Sequence, residues 1–387
     1  MATVSVSTRG AKRIRNRHLW IYRSDVRDTR EAEGGEIVRV LDEANNFVGQ
    51  AFYSDRSEIA LRFLSTGDET IDRPWWRRRL LESIRNRRTL NEDTDAARLV
   101  YAEGDLLPSI IIDVYANNFV LQTLSQGAER VKDDLVRIIV EDFGPRSVSE
   151  RNDARVRELE GLELRNQVLY GTLADEVEIK QNGLRFLTSP LSGQKTGSFL
   201  DQKENYLAAR RWAFGSALDC FTFAGGFALN IARSCKEVLG VDISSDAVAR
   251  AEQNARLNNI ENVRFQTANV FDFLRELEAA GKRFDTVILD PPAFTKSRAT
   301  VKSGARGYKE INLRALKLLN PGGTLITCTC SYHLSEDLFL EIIGEAARDA
   351  RRRLQVVEKR GQASDHPVLL GVPETYYLKC VIARVID

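Results

Sequence analysis

Two cysteines two residues apart close an apolar run in LITCTCSYHLSEDLF, residues 325–339, and the whole chain holds only five. Cys328 and Cys330 allow three chemistries: apolar filler, half of a metal site, or a nucleophile whose thiolate adds to an electrophilic carbon. A metal pair would need two more ligands. Only His333 is close in sequence, and three histidines with scattered cysteines make no zinc pattern, so no metal is expected. Residues two apart on a strand share a face, so position separates the two cysteines. Cys328 lies inside the apolar run and reads as core, whereas Cys330 lies where strand gives way to SYHLS. Cys220, Cys235 and Cys380 read as small buried hydrophobes.

Four other short stretches carry residues suited to a ligand. In LDCFTFAGGFAL, Gly225 and Gly226 let backbone approach a bound molecule ahead of a helix. In VLGVDIS, Asp242 ends a strand about twenty residues later, where an acid accepts hydrogen bonds from a ribose diol. In QTANVFDFL, Asn269 is placed to accept from an adenine amine while Val270 and Phe271 flank the ring. In ILDPPAFTKS, Asp290 before Pro291 and Pro292 projects from a rigid, extended loop. The G-x-G-x-x-G spacing of a dinucleotide fold is missing, as is a P-loop. An adenosine-containing cofactor without phosphates suits this set, and S-adenosylmethionine fits.

The elements that must hold these residues fall after about residue 195. Apolar strands (SALDCFTF, EVLGVDIS, VRFQTAN, FDTVILDPP, TLITCTC) alternate with helical stretches of 10–15 residues. That alternation predicts an α/β domain with a parallel sheet and helices on both faces. Its ligand belongs at the carboxyl ends of the strands. Before it, residues 96–190 read as a small α+β unit without visible chemistry. TIDRPWWRRRLLESIRNRRTL reads as a basic helix, with Pro74 near its start and Leu80, Leu81 and Ile84 on one face, linking two domains over 71–95. Residues 1–70 read as short strands, with a hairpin over GGEIVRVLDEANNFVGQAFYS.

Net charge is +1, but residues 1–88 carry an excess of about +5 and the remainder about −4. A basic module suggests a polyanionic partner. Within it Lys12, Arg13, Arg15 and Arg17 stand beside Trp20 and Tyr22. Cations for phosphates and aromatics for bases suit RNA, and a solvated basic edge over a core tryptophan fits these residues equally. His18 reads either as an RNA contact or as an ordinary surface group, and His366, in a loop before a proline, as structural or solvent-facing, with a direct role as the alternative. No stretch approaches a membrane span and no signal-type core opens the chain, so a soluble cytoplasmic protein is expected.

The ordered motifs DCFTFAGGF, DPPAFTKS and CTCSYHLS, with GQKTGSFLDQKENY, SEDLF, ASDHPV and PETYYLKC, resemble the RlmI-type ribosomal RNA large-subunit cytosine-5 methyltransferases. The resemblance covers essentially the whole chain. It implies a β-rich PUA-type RNA-binding domain, a small central α+β domain and a Rossmann-like class I methyltransferase domain over 191–387. It further implies S-adenosylmethionine as cofactor, large-subunit (23S) ribosomal RNA as substrate, and Cys330 as the catalytic cysteine, and it is compatible with a homodimer. Asp219, Phe221, Gly225, Asp242, Asn269 and Asp290 would line the cofactor pocket, with Lys195 and Phe199 close to it. The family usually has an acid where Asn269 stands, though an amide carbonyl also accepts from an amine. Asp290 would hydrogen-bond the cytosine edge and assist at its ring nitrogen, with Pro291 and Phe294 positioning the base. Two alternatives stay open: methylation of another base, such as a guanine amine, which needs no thiol, and a non-catalytic RNA-binding assembly factor.

Overall fold

The computed structural model describes residues 1–87, 93–193, 198–295 and 297–387. The chain forms two compact units, one built from 1–179, 188–200 and 364–375, the other from 180–187, 201–363 and 376–387.

In the first unit β1 (Thr3–Val6), α1 (Thr8–Arg15), β2 (Trp20–Tyr22), β3 (Val26–Asp28), β4 (Ile37–Leu41), β5 (Phe47–Tyr53) and β6 (Ile59–Ser65) come first. Their strands make a six-stranded sheet in the order β2-β6-β5-β4-β1-β3. The expected hairpin is the antiparallel β4–β5 pair, with Asn45 in the left-handed conformation its turn requires. The basic helix α2 (Arg73–Arg85) starts where Asp72 accepts from the Trp75 amide, with Pro74 in the first turn. It is more than a tether: Trp75, Trp76 and Leu80 are buried in one core with Val100, Ile112 and Leu135.

That core belongs to a second sheet of β7 (Ala96–Tyr101), β8 (Ile110–Tyr115), β9 (Asn118–Thr123), β10 (Ser147–Asn152) and β11 (Arg165–Gly171), in the order β11-β10-β9-β8-β7. Between β9 and β10 the chain forms α3 (Gln126–Arg130) and α4 (Lys132–Phe143), separated at Val131. Phe52 of the first sheet stacks on Trp76, 5.7 Å between ring centres, so the two expected N-terminal blocks share packing within one unit. A two-stranded sheet of β12 (Val177–Gln181) and β13 (Leu184–Thr188) follows.

The second unit carries α5 (Lys203–Trp212), β14 (Ser216–Cys220), α6 (Gly226–Ile231), β15 (Glu237–Asp242), α7 (Ser245–Leu257), β16 (Val263–Thr267), α8 (Val270–Ala279), β17 (Phe284–Leu289), α9 (Val301–Leu318), β18 (Leu319–Thr329), α10 (Glu336–Asp349), β19 (Leu354–Arg360) and β20 (Lys379–Val385). Its seven strands run β16-β15-β14-β17-β18-β20-β19. The first five are parallel, as their alternation with helices predicts. The last two are antiparallel additions, β20 against β18 and β19 against β20, that no βα alternation announces. From β14 the chain runs outward through β15 and β16, then returns to lay β17 and β18 on the other side. The strand order therefore reverses between β14 and β17, the place where open α/β sheets bind ligands. Leu218, Val241, Val287, Leu325, Ile311, Phe339 and Ile343 form the core beneath that edge.

Candidate active site

The turn after β14 is held open by its backbone. Phe221, Phe223 and Gly225 all have positive φ, at 64°, 47° and 86°. Two bulky residues in the left-handed region are costly, and such strain collects where a ligand needs the backbone in one shape. Asp219 lies beneath the turn and fastens it: one carboxylate oxygen accepts from the Thr222 hydroxyl at 2.6 Å and from the Ala228 amide at 3.0 Å. The other oxygen is buried and finds no partner among the described residues. Burial pushes the Asp219 carboxyl up to about 7, against the pull of these hydrogen bonds, and the charges of Asp290 and Asp242 add to the rise. Gly226 is pressed against Tyr206, where a Cβ would stand 2.5 Å from the phenol oxygen.

Asp242, at the end of β15, accepts from the Phe223 amide at 2.9 Å and from the Ser244 amide at 3.0 Å, yet stays half-exposed. Each oxygen keeps a lone pair for a diol. The next residue, Ile243, is an apolar side chain 69% exposed. The sequence reading passed over it, and only the structure separates an exposed isoleucine at a strand end from a buried one. Asn269 caps α8 by accepting from the Phe271 amide at 2.9 Å, and it is exposed. Val270, expected against one side of an adenine ring, is instead 3% exposed and packed in the core. The reason is helical geometry: as the first residue of α8 it lies on the face turned to the sheet. Phe271 is half-buried and leans on Phe294, 5.8 Å between centres.

At the end of β17 the Asp290 amide donates to the Cys220 carbonyl at 3.3 Å, joining two strand ends, and its carboxylate accepts from the Gln202 amide group at 2.8 Å. Pro291 is buried. Phe294, partly buried, is the centre of an aromatic group, with Tyr308 at 4.7 Å, Phe271 at 5.8 Å and Phe221 at 6.4 Å. Tyr308, buried on α9, joins the loops. Its hydroxyl receives the Thr329 hydroxyl at 2.8 Å, pairs with the Ser331 hydroxyl at 2.9 Å and lies 3.4 Å from the Phe294 amide.

Cys330 follows the last residue of β18 and is half-buried, whereas the other four cysteines are buried. Cys328 is fully enclosed opposite Cys380 in the β18–β20 register, and burial pushes its thiol well up. Cys330 stands within electrostatic reach of Tyr308 and of Lys379, neither of which the sequence reading named. No cluster able to hold a metal ion occurs among the described residues. Lys195 lies outside the described residues, and Phe199 is half-buried on a segment of the first unit.

An S-adenosylmethionine-dependent methyltransferase family model matches residues 164–381, and a PUA-like domain model matches residues 4–66. The ribosomal RNA large subunit methyltransferase I of Tolumonas auensis is 38% identical, over 99% of both chains. That of Shewanella amazonensis is 39% identical over 97% of both. The chain belongs to the ribosomal RNA large subunit methyltransferase I family. Among solved structures, SMU.776, a methyltransferase complexed with SAH, superposes with a TM-score of 0.86 over the whole of both chains at 18% identity. A SAM-dependent methyltransferase from Streptococcus mutans gives 0.84 at 19%. These two share the fold.

As a member of the methyltransferase I family the protein is S-adenosylmethionine-dependent, and the edge described above fits that molecule. Three carboxyl groups, Asp219, Asp242 and Asp290, lie close enough to act on one another electrostatically at this edge, and carboxylates there suit a cofactor carrying a sulfonium and an amine. The strained turn, the half-exposed Asp242 and the bare Ile243 offer a cradle, a diol acceptor and an apolar wall.

In the PUA-like domain of this family member the expected RNA contacts divide. Arg17 is exposed. Arg13 lies over the Tyr22 ring at 4.6 Å, and the Trp20 indole donates to Glu103 at 3.0 Å. His18 is buried: its Nδ1 accepts from the Trp20 amide, which leaves Nε2 to donate to Glu374 at 3.3 Å. Both readings from sequence put His18 at the surface, and the structure corrects them: the ring is an internal brace. His366 is likewise buried, 2.8 Å from Asp365.

Proposed function

We propose that the protein methylates carbon 5 of a cytosine in large-subunit (23S) ribosomal RNA through a covalent bond between Cys330 and carbon 6 of the base. The observation that carries this reading is the placement of the one half-buried cysteine. It stands at the carboxyl end of β18, on a loop that Tyr308 fastens to the Asp290 loop. The names of relatives 38–39% identical over nearly their whole length support the ribosomal RNA substrate.

Carbon 5 of cytosine is too weak a nucleophile to take a methyl group unaided. When the Cys330 thiolate bonds to carbon 6, the ring electrons move toward carbon 5 and make it enamine-like. The cofactor supplies an electrophilic methyl on a sulfonium. The proton on carbon 5 is then removed, the carbon–sulfur bond breaks, the ring double bond re-forms and the thiolate is restored. Asp290 would hold the amine edge of the cytosine and stabilise a proton at the ring nitrogen, with Pro291 and Phe294 fixing the base in place. Asp242 would bind the ribose diol, Asn269 the adenine amine, and Phe221, Gly225 and Ile243 the cofactor's body, with Asp219 acting beneath the turn.

RNA capture is assigned to residues 1–70, with Arg13, Arg17 and Trp20 on the contacting side, ahead of a 71–95 helix segment, a 96–190 central domain and a 191–387 catalytic domain. No helix among the described residues is long and apolar enough to cross a membrane, and a ribosomal substrate places the activity in the cytoplasm. Transfer of tritiated methyl to large-subunit RNA tests the reading. Cys330→Ala should abolish transfer while cofactor affinity stays within about twofold. Full activity in that variant would move the reaction to a base that needs no thiol.

A further inference from the structure

Lys379 opens β20 and pairs with Thr329, one residue before Cys330. It is a lysine only 3% exposed. Its ammonium reaches two backbone carbonyls, Tyr377 at 3.2 Å and Ser331 at 3.5 Å, and sits 5.2 Å from the Tyr376 ring centre. Among the described residues it makes no ion pair. The acid that acts on it, Glu336 of α10, is engaged by Lys359 at 2.6 Å and by the Tyr376 hydroxyl at 3.0 Å. A buried cation without an anion is costly, and such a group loses its proton or acquires a partner. The remaining ionisable group acting on it is the Cys330 thiol.

We propose that Lys379 is a positioning residue that holds Cys330 as a thiolate before any base is bound, an inference that rests on reading Cys330 as the nucleophile. The thiol proton goes to solvent, the ammonium keeps its own, and no bond forms to Lys379. Thiolate is the attacking form, and a free cysteine is mostly protonated at neutral pH. Burial pulls Lys379 down to about 8 even though the charges of Glu336 and of a Cys330 thiolate resist the fall, so ammonium and thiolate support each other. The other titratable groups facing the pair are Glu336 from α10, Tyr376 from the segment before β20, and Tyr308 from α9, with Lys359 of β19 behind Glu336. Glu336 opposes the effect, because its charge disfavours a thiolate.

The test is alkylation of Cys330 by iodoacetamide from about pH 5 to 10, read peptide by peptide by mass spectrometry on the full chain without RNA or cofactor. The native protein should titrate below the ordinary thiol value of about 8.5, and Lys379→Met should raise the midpoint by about one unit or more. Lys379→Arg should recover most of the difference. A Lys379→Met profile that overlays the native one, with unchanged circular dichroism, overturns the proposal. Should Lys379→Met not fold, Glu336→Gln serves: the Cys330 midpoint should fall, and an unchanged or raised midpoint overturns it. The nucleophile reading fails separately, by methyl transfer surviving in Cys330→Ala, whatever the alkylation profile.

Discussion

The hydroxyl of Tyr308 lies 2.9 Å from the hydroxyl of Ser331, with both side chains buried. Through this contact α9 grips the loop that carries Cys330, and through the Phe294 amide the same phenol meets the loop that carries Asp290. Tyr308→Phe removes the shared partner of Ser331 and Thr329. The loss should be about 1–3 kcal/mol of stability, the cost of leaving buried hydroxyls unsatisfied. The kcat should fall severalfold with cofactor affinity unchanged. Denaturant unfolding, methyl-transfer kinetics and titration calorimetry check the three in turn, and an unaltered kcat would show that the loops align without the phenol.

Asp242 accepts from two backbone amides, one on each oxygen, and each oxygen keeps a further lone pair. Asp242→Ala should weaken S-adenosylmethionine binding at least tenfold, about 1.4 kcal/mol, in the range of a charge-assisted hydrogen bond. Titration calorimetry measures it. Binding within twofold of native would place the ribose elsewhere.

Asp219 makes stability depend on pH in a direction unusual for a carboxylate. Its folded value, about 7, is above the 3.8 of the ordinary group, so the folded state holds a proton that the unfolded state releases first. The contribution is complete below about pH 4 and is lost as pH rises through about 7. Relative to the native chain, Asp219→Asn should therefore be more stable at pH 8 than at pH 5. The difference should exceed about 1 kcal/mol, since one pKa unit corresponds to about 1.4. Urea unfolding of both proteins at the two pH values gives the sign, and the opposite sign would show a carboxylate ionised in the fold.

Arg17 is exposed, whereas the Trp20 indole N–H is taken by Glu103 and the Arg13 guanidinium lies on the Tyr22 ring, both within the first unit. Arg17→Ala should weaken RNA binding modestly and reduce the salt slope by about one, as loss of a single phosphate contact does. An unchanged slope would move the RNA path off this surface.

The catalytic half of the fold was legible because local patterning determines it. Alternating strands and helices give the parallel sheet, and the chemistry-bearing residues Asp242, Asp290 and Cys330 mark strand ends that parallel pairing brings to one edge. The fate of Cys328, enclosed in the core, follows from its place inside an apolar run. What escaped depends on partners far away in sequence. Lys379 is beside Cys330 only because β20 pairs antiparallel with β18, a pairing with no local signature. Tyr308 looks like any helical core aromatic until its hydroxyl meets Ser331. Trp20 loses its open N–H to Glu103, 83 residues on. Val270 is turned inward because the rotational setting of α8 puts its first residue on the core side, and the QTANVFDFL stretch does not reveal that setting.

The most direct test of the chemistry uses large-subunit RNA transcribed with 5-fluorocytidine in place of cytidine. Fluorine on carbon 5 cannot leave as a proton does, so the carbon–sulfur bond should persist after methyl transfer. A protein–RNA adduct should survive a denaturing gel, require S-adenosylmethionine, map to Cys330 and disappear in Cys330→Ala. Methyl incorporation into unsubstituted RNA with no trapped adduct would contradict the covalent mechanism.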